Sequence, residues 1–312
     1  MQIGIVSGPW GASVDEVIGS AREAERLGFP SWYLGDHFFV GPQLESYDPF
    51  LLFTLVARAT STIRFGPLVS PVTFRPPWEM GRWAAQLDTL SGQRFVMGLG
   101  VGWIADEHRA YGVPYGSLKE RFDRLDEYIQ VMKLLWADGP AKFSGKFYQL
   151  DGADALPKPS AGRPPIVIGG GGERRTLNLV AKYANEWNAP TLSPDAYRAK
   201  RSVLAKHCEA VDRDPATIWD SMVSVGPIGA TLAEIDIATK TLMELFLPGT
   251  SGSLAEYRAG LKARGAIVGG REEILDALGG LADAGVNEVV FFDSPGVLQF
   301  LASEIAPAVA KL

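Results

Sequence analysis

The sequence predicts an α/β protein of the (β/α)8 TIM-barrel class with insertions, and three observations favour that class. Strand-like runs alternate with helix-like segments along the chain, a pattern that indicates βαβ units and a parallel sheet. Eight such units can be counted, the number that closes a barrel. A length of 312 residues allows one barrel domain over residues 1–312. An open, doubly wound sheet is the alternative, although no G-x-G-x-x-G follows the first strand.

The eight strands are predicted from short apolar or β-branched runs that end at turn residues. In chain order they cover residues 2–6, 31–34, 63–69, 94–99, 165–168, 186–188, 218–225 and 288–292. Between the strands, apolar residues recur at spacings of three and four, the period of an amphipathic helix. Examples are Val14, Val17, Ile18, Ala21, Ala24 and Leu27, and further along Phe122, Leu125, Ile129 and Met132.

Two segments exceed what a barrel needs and are predicted to be insertions. Residues 141–164 read as a hairpin followed by an extended approach to the fifth strand, because several prolines follow a short β-like run. Residues 226–270 separate the last two strands and are expected to hold extra helices around residues 232–246 and 254–263. Long insertions near a barrel rim often shape access to the substrate.

Composition narrows the function classes. Hydrophobic residues make up 46% and charged residues 21% of the chain, as in water-soluble globular proteins. The first residues read as a strand, with no basic n-region or cleavage site, so a cytoplasmic protein without a membrane partner is expected. With Cys208 as the only cysteine and three histidines, neither a disulfide nor a metal site is predicted. The net charge of −6 argues against nucleic acid as a partner.

Residues 164–175 carry the most informative local pattern, a short apolar run followed by four glycines and an apparent helix start. Glycines allow the backbone to approach a ligand closely, and a helix start offers unpaired N–H groups together with the positive end of the helix dipole. The pattern therefore predicts a phosphate-binding loop. A flexible connection between strand and helix explains the same residues, and the surroundings have to decide.

In a barrel the functional site lies at the carboxyl ends of the strands, so polar residues that follow a strand are the first candidates. Asp36 and His37 follow the second strand, and Arg75 lies beyond the third. Trp103 follows the glycines of the fourth, and Trp187 and Asn188 end the sixth. We expect these positions to face a common pocket.

Several motifs of this chain resemble the luciferase-like monooxygenase superfamily, in particular its actinobacterial branch that uses the deazaflavin coenzyme F420. They are Gly28-Phe29 through Trp32, Asp36-His37-Phe38, residues 60–66, Phe74-Arg75-Pro76-Pro77, residues 87–95, residues 98–103 and the glycines 169–172. The likeness covers about residues 1–190, with a weaker echo at residues 269–292. It implies a bacterial-luciferase-like (β/α)8 barrel, a flavin or deazaflavin ring at the carboxyl ends of the strands, and a homodimer.

The resemblance also assigns cofactor-binding positions. It places the ring near Asp36 and His37, beside a bulge at the end of the third strand, and the family's non-prolyl cis peptide then falls at Leu68-Val69. Val101 and Gly102 flank the ring or its ribityl chain. Gly170, Gly171 and Gly172 present backbone N–H groups to the phosphate, and Glu173 continues that loop.

The implied activity is hydride transfer between F420 and an unidentified small organic substrate. Such chemistry needs a group that manages the accompanying proton, and His37 is the catalytic candidate because imidazole gives and takes a proton near neutral pH. Asp36 beside it would set its orientation or charge. The alternative is that Asp36 caps a turn and that His37 satisfies a buried polar group.

The remaining candidates are weaker. Arg174 and Arg175 at the helix start would pair with the phosphate or remain solvated. Arg75 is interpreted as the lead into a helix, Glu107 and His108 as surface or rim residues, and Trp103 as a wall of the pocket or part of the core. Trp187 and Asn188 either touch the ligand or pack the barrel.

Two departures from the resemblance limit the choice of substrate. Dehydrogenases of this branch that act on sugar phosphates and alcohols carry a tryptophan four residues after the histidine, where this chain has Gly41, and a glutamate where it has Trp103. Glucose 6-phosphate and simple alcohols are therefore doubtful substrates. A monooxygenase that uses reduced FMN, and a non-catalytic protein that binds a flavin or deazaflavin, stay open as alternatives.

Overall fold

The structure, a computed structural model, describes residues 1–41, 44–160, 162–247 and 252–310. Its eleven described strands form a parallel nine-stranded sheet and a separate two-stranded hairpin. The strands are β1 Gln2–Ser7, β2 Ser31–Leu34, β3 Arg64–Pro67, β4 Ser70–Pro71, β5 Met97–Gly100, β6 Ala141–Ser144, β7 Gln149–Ala153, β8 Ile166–Gly169, β9 Glu186–Ala189, β10 Trp219–Ser224 and β11 Glu288–Phe292.

The sheet is a nearly closed barrel, because the strands at its two ends, β3 and β4, are separated in the chain by Leu68 and Val69 alone. The strand order is β3-β2-β1-β11-β10-β9-β8-β5-β4; β3 lies within the predicted third strand, residues 63–69, and β4 begins directly after it. β3 pairs with β2 and β4 pairs with β5, while a parallel bridge joins Phe65 of β3 to Phe95 just before β5. The predicted (β/α)8 TIM-barrel class is thus confirmed, with an interruption of the sheet between Pro67 and Ser70.

Helices follow the barrel strands and cover its outside. They are α1 Val14–Arg26, α2 Pro49–Ala59, α3 Pro77–Leu90, α4 Ala105–Ala110, α5 Leu118–Trp136, α6 Thr176–Tyr183, α7 Pro194–Glu209, α8 Leu232–Phe246, α9 Leu254–Ala263, α10 Arg271–Ala284, α11 Val297–Phe300 and α12 Ala306–Val309. Several begin with a capping box, as Ser13 and Glu16 do at α1, which satisfies backbone N–H groups of the first turn. Among the described residues, no helix combines the length and apolar character needed to cross a bilayer.

The two predicted insertions have the expected local structure. The first contains the antiparallel hairpin β6–β7, and the second contains α8 and α9, whose bounds agree with the predicted helices. α8 packs closely against the loop after β2, since a Cβ atom at Gly41 would overlap the backbone of Leu245. Gly41 is left-handed with φ +67°, and the absence of a side chain allows this contact.

The apolar core has two parts. The larger part lies between the sheet and the helices, with Trp32, Phe53, Phe65 and Phe95 among its fully buried members. A smaller cluster fills the barrel itself and consists of Val6, Tyr33, Val96, Val167 and Val290. This inner cluster separates the two ends of the barrel interior, which differ in polarity.

Candidate active site at the carboxyl end of the barrel

A cavity of about 340 Å³ opens at the carboxyl ends of the strands. Strand ends or the loops after them supply every described residue of its wall, as the barrel class predicts. Those residues are His37, Leu68, Val69, Pro71, Gly100, Val101, Gly102, Trp103, Gly169, Gly170, Asn188, Pro190 and Val223. The cavity therefore brings together the predicted positions after the second, third, fourth, fifth and sixth strands.

His37 faces this cavity and is held from behind by a buried carboxylate. Its Nδ1 lies 2.8 Å from Oε1 of Glu107, and the backbone N–H of Phe38 donates to the other carboxylate oxygen at 2.9 Å. Glu107 is fully buried and the side chain of His37 is 11% exposed. With Nδ1 donating to Glu107, Nε2 is the ring nitrogen left to accept or donate a proton at the cavity.

Asp36 does not line the cavity, although it precedes His37. Its carboxylate accepts hydrogen bonds from Ser70 at 2.6 Å and from Arg75 at 2.7 and 3.2 Å, and Arg75 also binds Asp48 at 2.6 Å. Burial disfavours the Arg75 cation, but the two carboxylates outweigh this effect and raise its pKa. Arg75 does lead into a helix, since it precedes Pro76, the N-cap of α3, and in addition it ties the loop after β2 to the loop after β4.

The break in the third strand forms one wall of the cavity. Leu68 and Val69 lie between β3 and β4, both face the cavity, and the peptide bond between them is cis, which confirms the expectation for this bond. Val69 also fills the space above Gly100 and Gly169, where a Cβ atom would meet its side chain. These two glycines thus let the Val69 side chain lie flat across the strand ends.

The loop after β8 lies beside this wall. Gly169 and Gly170 line the cavity, and Gly170 has φ +120°, a conformation that favours glycine. Its N–H donates to Asn188. For residues 171–175, which lead into α6, no backbone N–H donates a hydrogen bond to another described residue. Gly171, Gly172 and Glu173 lie outside the cavity wall itself, along this run of free donors.

A lysine also reaches this loop. Lys200 on α7 donates to the carbonyl of Gly171 at 2.8 Å and lies 3.1 Å from the carboxylate of Glu173. The sequence offered no spacing signal for Lys200, because 28 residues separate it from Gly172. Arg175 pairs with Asp123 at 3.1 Å, so its charge is engaged with α5.

The expectation that Glu107 and His108 lie on the surface is wrong. Both are buried, with 0% and 1% exposure. His108 lies 2.7 Å from both the carbonyl of Ile104 and the hydroxyl of Thr73, and thereby joins α4 to the loop after β4. The six residues of α4 are mostly polar, which resembles a surface helix. The adjacent carboxylate and imidazole directly after a barrel strand are the signal that could have identified them.

The remaining candidates, Trp103, Trp187 and Asn188, differ in their position relative to the cavity. Trp103 stands at the mouth of the cavity, 63% exposed, with its ring 5.5 Å from that of His37 and nearly perpendicular to it. Trp187 points away from the cavity into the core, stacks on Tyr197 and donates to the carbonyl of Gly170 at 2.7 Å. Asn188 lines the cavity and donates to Ser221 inside the barrel at 2.9 Å.

A larger cavity of about 700 Å³ lies on the outer surface beside α5 and α6, toward the amino-terminal end of the barrel. Of its cationic residues, Arg213 donates to carbonyls at the end of α6, Arg163 pairs with Asp88 and Lys182 lies 3.9 Å from Asp126. The His37 cavity is smaller, but of the two it is the one lined by the carboxyl ends of the strands and by the imidazole that pairs with Glu107. It is therefore the candidate active site.

The fold and this site define a luciferase-like TIM barrel with its ligand cavity at the carboxyl ends of the strands. The family model of the luciferase-like monooxygenases matches residues 2–288, and the chain belongs to this family. The match extends beyond the 190 residues that carry the main sequence motifs and includes the insertion that holds α8 and α9.

Relatives and solved structures with either a deazaflavin or a flavin resemble the chain. An F420-dependent hydroxymycolic acid dehydrogenase of Mycobacterium tuberculosis is 30% identical over 220 residues, 69% of this chain and 60% of that protein. An F420-dependent secondary alcohol dehydrogenase, solved with an F420-acetone adduct, superposes with a TM-score of 0.83 at 20% identity, over 99% of this chain and 98% of that one. A type II Baeyer-Villiger monooxygenase of Pseudomonas putida in complex with FMN gives 0.74 at 18%, over 98% of each chain.

The curated relatives extend beyond the matched region. The alignments cover 65% of an uncharacterised protein of Mycobacterium bovis and 60% of the hydroxymycolic acid dehydrogenase. At 20% identity and below, the solved structures establish the common fold alone.

Proposed function

We propose that this protein is an oxidoreductase that transfers a hydride between coenzyme F420 and a small organic substrate, with His37 as the catalytic acid or base. The observation that carries the proposal is the orientation of His37: Glu107 binds Nδ1 and Nε2 is left at the cavity. An imidazole held in this way can exchange a proton with a substrate oxygen or carbon. Its orientation comes from buried groups, which keeps the reacting nitrogen in place.

The cavity residues fit a flavin-type cofactor. Leu68, Val69 and Val101 supply an apolar wall for a flat ring, and the free N–H groups of residues 171–175 at the start of α6 suit a phosphate. Lys200 adds a positive charge close to the same loop. When bound, F420 supplies or accepts a hydride at C5 of its ring. In this proposal Gly170, Gly171, Gly172 and Glu173 hold the phosphate end, and Val101 and Gly102 lie along the ring.

His37 would then act on the proton that accompanies the hydride. In the reducing direction the protonated imidazole donates from Nε2 to the substrate, and in the oxidising direction neutral Nε2 accepts a proton from it. Glu107 stabilises the imidazolium in both directions because its carboxylate lies 2.8 Å from Nδ1. Asp36 contributes indirectly, through the Arg75 and Ser70 contacts that hold the loop after β2.

We favour F420 over FMN because the relatives include an F420-dependent dehydrogenase that is 30% identical and matches 69% of this chain. A reduced-FMN monooxygenase is the second candidate, supported by the fold shared with the FMN-bound monooxygenase and by a phosphate loop that would serve either cofactor. A protein that only carries the cofactor is the third, and the His37–Glu107 pair argues against it.

The deciding experiment titrates purified protein with F420 and, separately, with FMN by calorimetry, and then assays oxidation of the reduced cofactor with unsaturated carbonyl compounds. We expect F420 to bind and the reduced form to be consumed only when an acceptor is present. Tight FMN binding without detectable F420 binding would replace the first candidate by the second. Binding of F420 without turnover of any acceptor would favour the carrier.

The proposal includes a homodimer. Leu51 and Leu55 lie one turn apart on α2 and are 69% and 46% exposed, so α2 presents an apolar face that a second copy of the chain could cover. Sedimentation velocity of the purified protein measures the oligomeric state directly, and a monomer at micromolar concentration would contradict this part of the proposal.

A further inference from the structure

A continuous series of neighbouring aromatic rings runs through His37 and Trp103, two residues of the cavity wall. Their centroids are 5.9 Å apart between Trp10 and His37, 5.5 Å between His37 and Trp103, 6.5 Å between Trp103 and Phe246, and 6.4 Å between Phe246 and Phe292. Trp10 follows β1, Trp103 follows β5, Phe246 ends α8 and Phe292 ends β11. We call Trp10, Trp103, Phe246 and Phe292 the aromatic collar.

Phe292 of the collar packs against the inner barrel cluster and the indole N–H of Trp10 donates to the carbonyl of His37 at 3.4 Å, but Trp103 is left in solvent at the cavity. Trp103 is 63% exposed, and the other three side chains are half-buried. By contrast, Phe38 is stacked between Phe74 and Tyr111 with centroid distances of 4.3 Å on both sides, an arrangement that needs no further partner. Exposed aromatic faces grouped around a cavity are typical of a ligand-binding surface.

Glycines next to the collar fix its position. A Cβ atom at Gly8 or at Gly35 would overlap the ring of Trp10, so this ring lies flat over the ends of β1 and β2. Gly102, with φ +75°, turns the chain between β5 and Trp103. Loops that follow barrel strands therefore position Trp10 and Trp103 of the collar. Phe246 is the collar residue that comes from the second insertion.

The described wall of the cavity contains no lysine, arginine, aspartate or glutamate. Its polar side chains are those of His37 and Asn188, and the amide nitrogen of Asn188 already donates to Ser221 at 2.9 Å. Glu107 is buried behind His37 and is engaged by it. A charged substrate group that entered this wall would lose water, and the side chain of the described wall that can become cationic, His37, already binds the Glu107 carboxylate.

We propose that the aromatic collar selects an uncharged substrate with a flat, apolar or aromatic body and a single polar oxygen at the end that meets His37. The rings of the collar contact the flat body, and Nε2 of His37 forms the hydrogen bond to the oxygen. This inference rests on the proposed function for the reacting end of the substrate. The selection against charge rests on the collar and cavity wall alone.

The test uses two ligands that differ by one charge: 4-phenylbut-3-en-2-one and its analogue with a carboxylate on the phenyl ring. Their dissociation constants are measured by calorimetry, in the cofactor-free protein and again with oxidised F420 present. We expect the neutral ketone to bind at least roughly tenfold more tightly than the carboxylate, because the carboxylate on the phenyl ring would be desolvated among the uncharged rings of the collar.

Variants then locate the selectivity. Trp103→Ala is expected to weaken ketone binding roughly tenfold, and Trp103→Phe to retain most of the affinity, because a ring remains for stacking. Trp78→Ala is the matched control: Trp78 is 47% exposed on α3, where it contacts Tyr148 of the hairpin instead of the collar. Phe246→Ala provides a second collar variant.

The outcomes separate the two proposals. Equal affinity for ketone and carboxylate in both conditions, equal effects of Trp103→Ala and Trp78→Ala, or no measurable binding of the ketone would overturn the collar proposal. Selective binding of the ketone that depends on Trp103, together with no F420 binding, would keep the collar and remove the F420 hydride transfer. Turnover with F420 that favours the carboxylate substrate would support the F420 hydride transfer and overturn the collar proposal.

Discussion

At the amino-terminal end of the barrel interior, Arg64, Glu186 and Glu288 lie in a network of charged and hydroxyl groups, whereas at the carboxyl-terminal end the cavity wall is apolar. Arg64 pairs with Glu186, which also accepts from Ser221 at 2.6 Å, and Glu288 accepts from Ser31. At the cavity, the buried carboxylate of Glu107 binds the imidazole of His37 alone among the side chains described. The charged groups at the amino-terminal end bind one another. The His37–Glu107 pair at the carboxyl-terminal end instead leaves Nε2 of His37 available at the cavity.

The comparison shows that burial of a carboxylate has different consequences at the two ends. Burial raises the pKa of Glu288, and the neighbouring Glu186 carboxylate raises it further, so this group adds a pH-dependent cost to folding. Glu107 is equally buried but accepts hydrogen bonds at both oxygens from groups of the loop after β2. Asn188 connects the ends, since it lines the cavity and donates to Ser221 of the polar network.

The largest effect is expected at the cavity, from His37→Ala. Loss of the group that exchanges the proton should lower kcat by roughly 10²- to 10⁴-fold, while the dissociation constant of the cofactor changes little. Steady-state kinetics with reduced F420 and calorimetry on the same preparation check this. If affinity for the cofactor falls as much as kcat does, His37 serves to bind the ring. The carboxyl-terminal end would then hold a binding residue in place of a catalytic one.

At the opposite end, Arg64→Met should act on stability instead of catalysis. It removes the cation that pairs with the buried Glu186 carboxylate, and an uncompensated buried charge costs about 3 kcal/mol or more in the free energy of unfolding. Urea unfolding at pH 7 measures that loss, and kcat/KM of the folded fraction is expected to stay within about twofold of the parent value. A large fall in kcat/KM with unchanged unfolding would show that the amino-terminal network serves the reaction.

Glu107→Gln distinguishes positioning from packing. The amide keeps the size of the side chain and can still accept from Nδ1, but its NH₂ group would face the N–H of Phe38 and its charge is lost. We expect kcat to fall roughly tenfold or more with KM nearly unchanged, because the substrate still meets the same wall. Glu107→Asp, which keeps the charge, should recover part of the loss. A KM effect as large as the kcat effect would contradict a positioning role.

The smallest effect concerns Glu288→Gln and has a definite sign. Because the pKa of Glu288 is raised in the folded protein, its ionisation weakens folding as the pH rises above the usual value of 4.5. The glutamine variant cannot ionise, so its free energy of unfolding should improve relative to the parent as the pH increases from 4 to 8. Urea unfolding across this range checks the slope, and a difference that shrinks with rising pH would refute it.

Much of the fold could be predicted because it depends on local patterns. The eight strand positions, the hairpin and the helices α8 and α9 follow from periodicity and turn residues. The Leu68-Val69 cis peptide followed from the family resemblance, which supplied information that periodicity lacks, whereas the short strand β4 beyond it was not predicted. The location of the site could be predicted because the carboxyl ends of the strands meet at one end of a barrel.

The partners of the site residues could not be predicted in the same way. The pairing of Arg75 with Asp36 and of Glu107 with His37 depends on how loops from different strands pack, and the 70 positions between His37 and Glu107 carry no spacing rule. α4 was misread because charged residues in a short helix indicate a surface unless a buried partner exists. Sequence thus identified side chains that line the cavity better than those that hold them in place.

The break between β3 and β4 gives the barrel a seam. β5 pairs with β4, whereas β3 reaches this side of the barrel at the bridge between Phe65 and Phe95 and where Gly98 approaches Pro67, and the residues between β3 and β4 form a wall of the cavity. A molecule bound against Leu68 and Val69 would therefore fasten the two sides of the seam together. Binding of such a molecule would stabilise the closed barrel, and closure of the barrel would in turn favour binding.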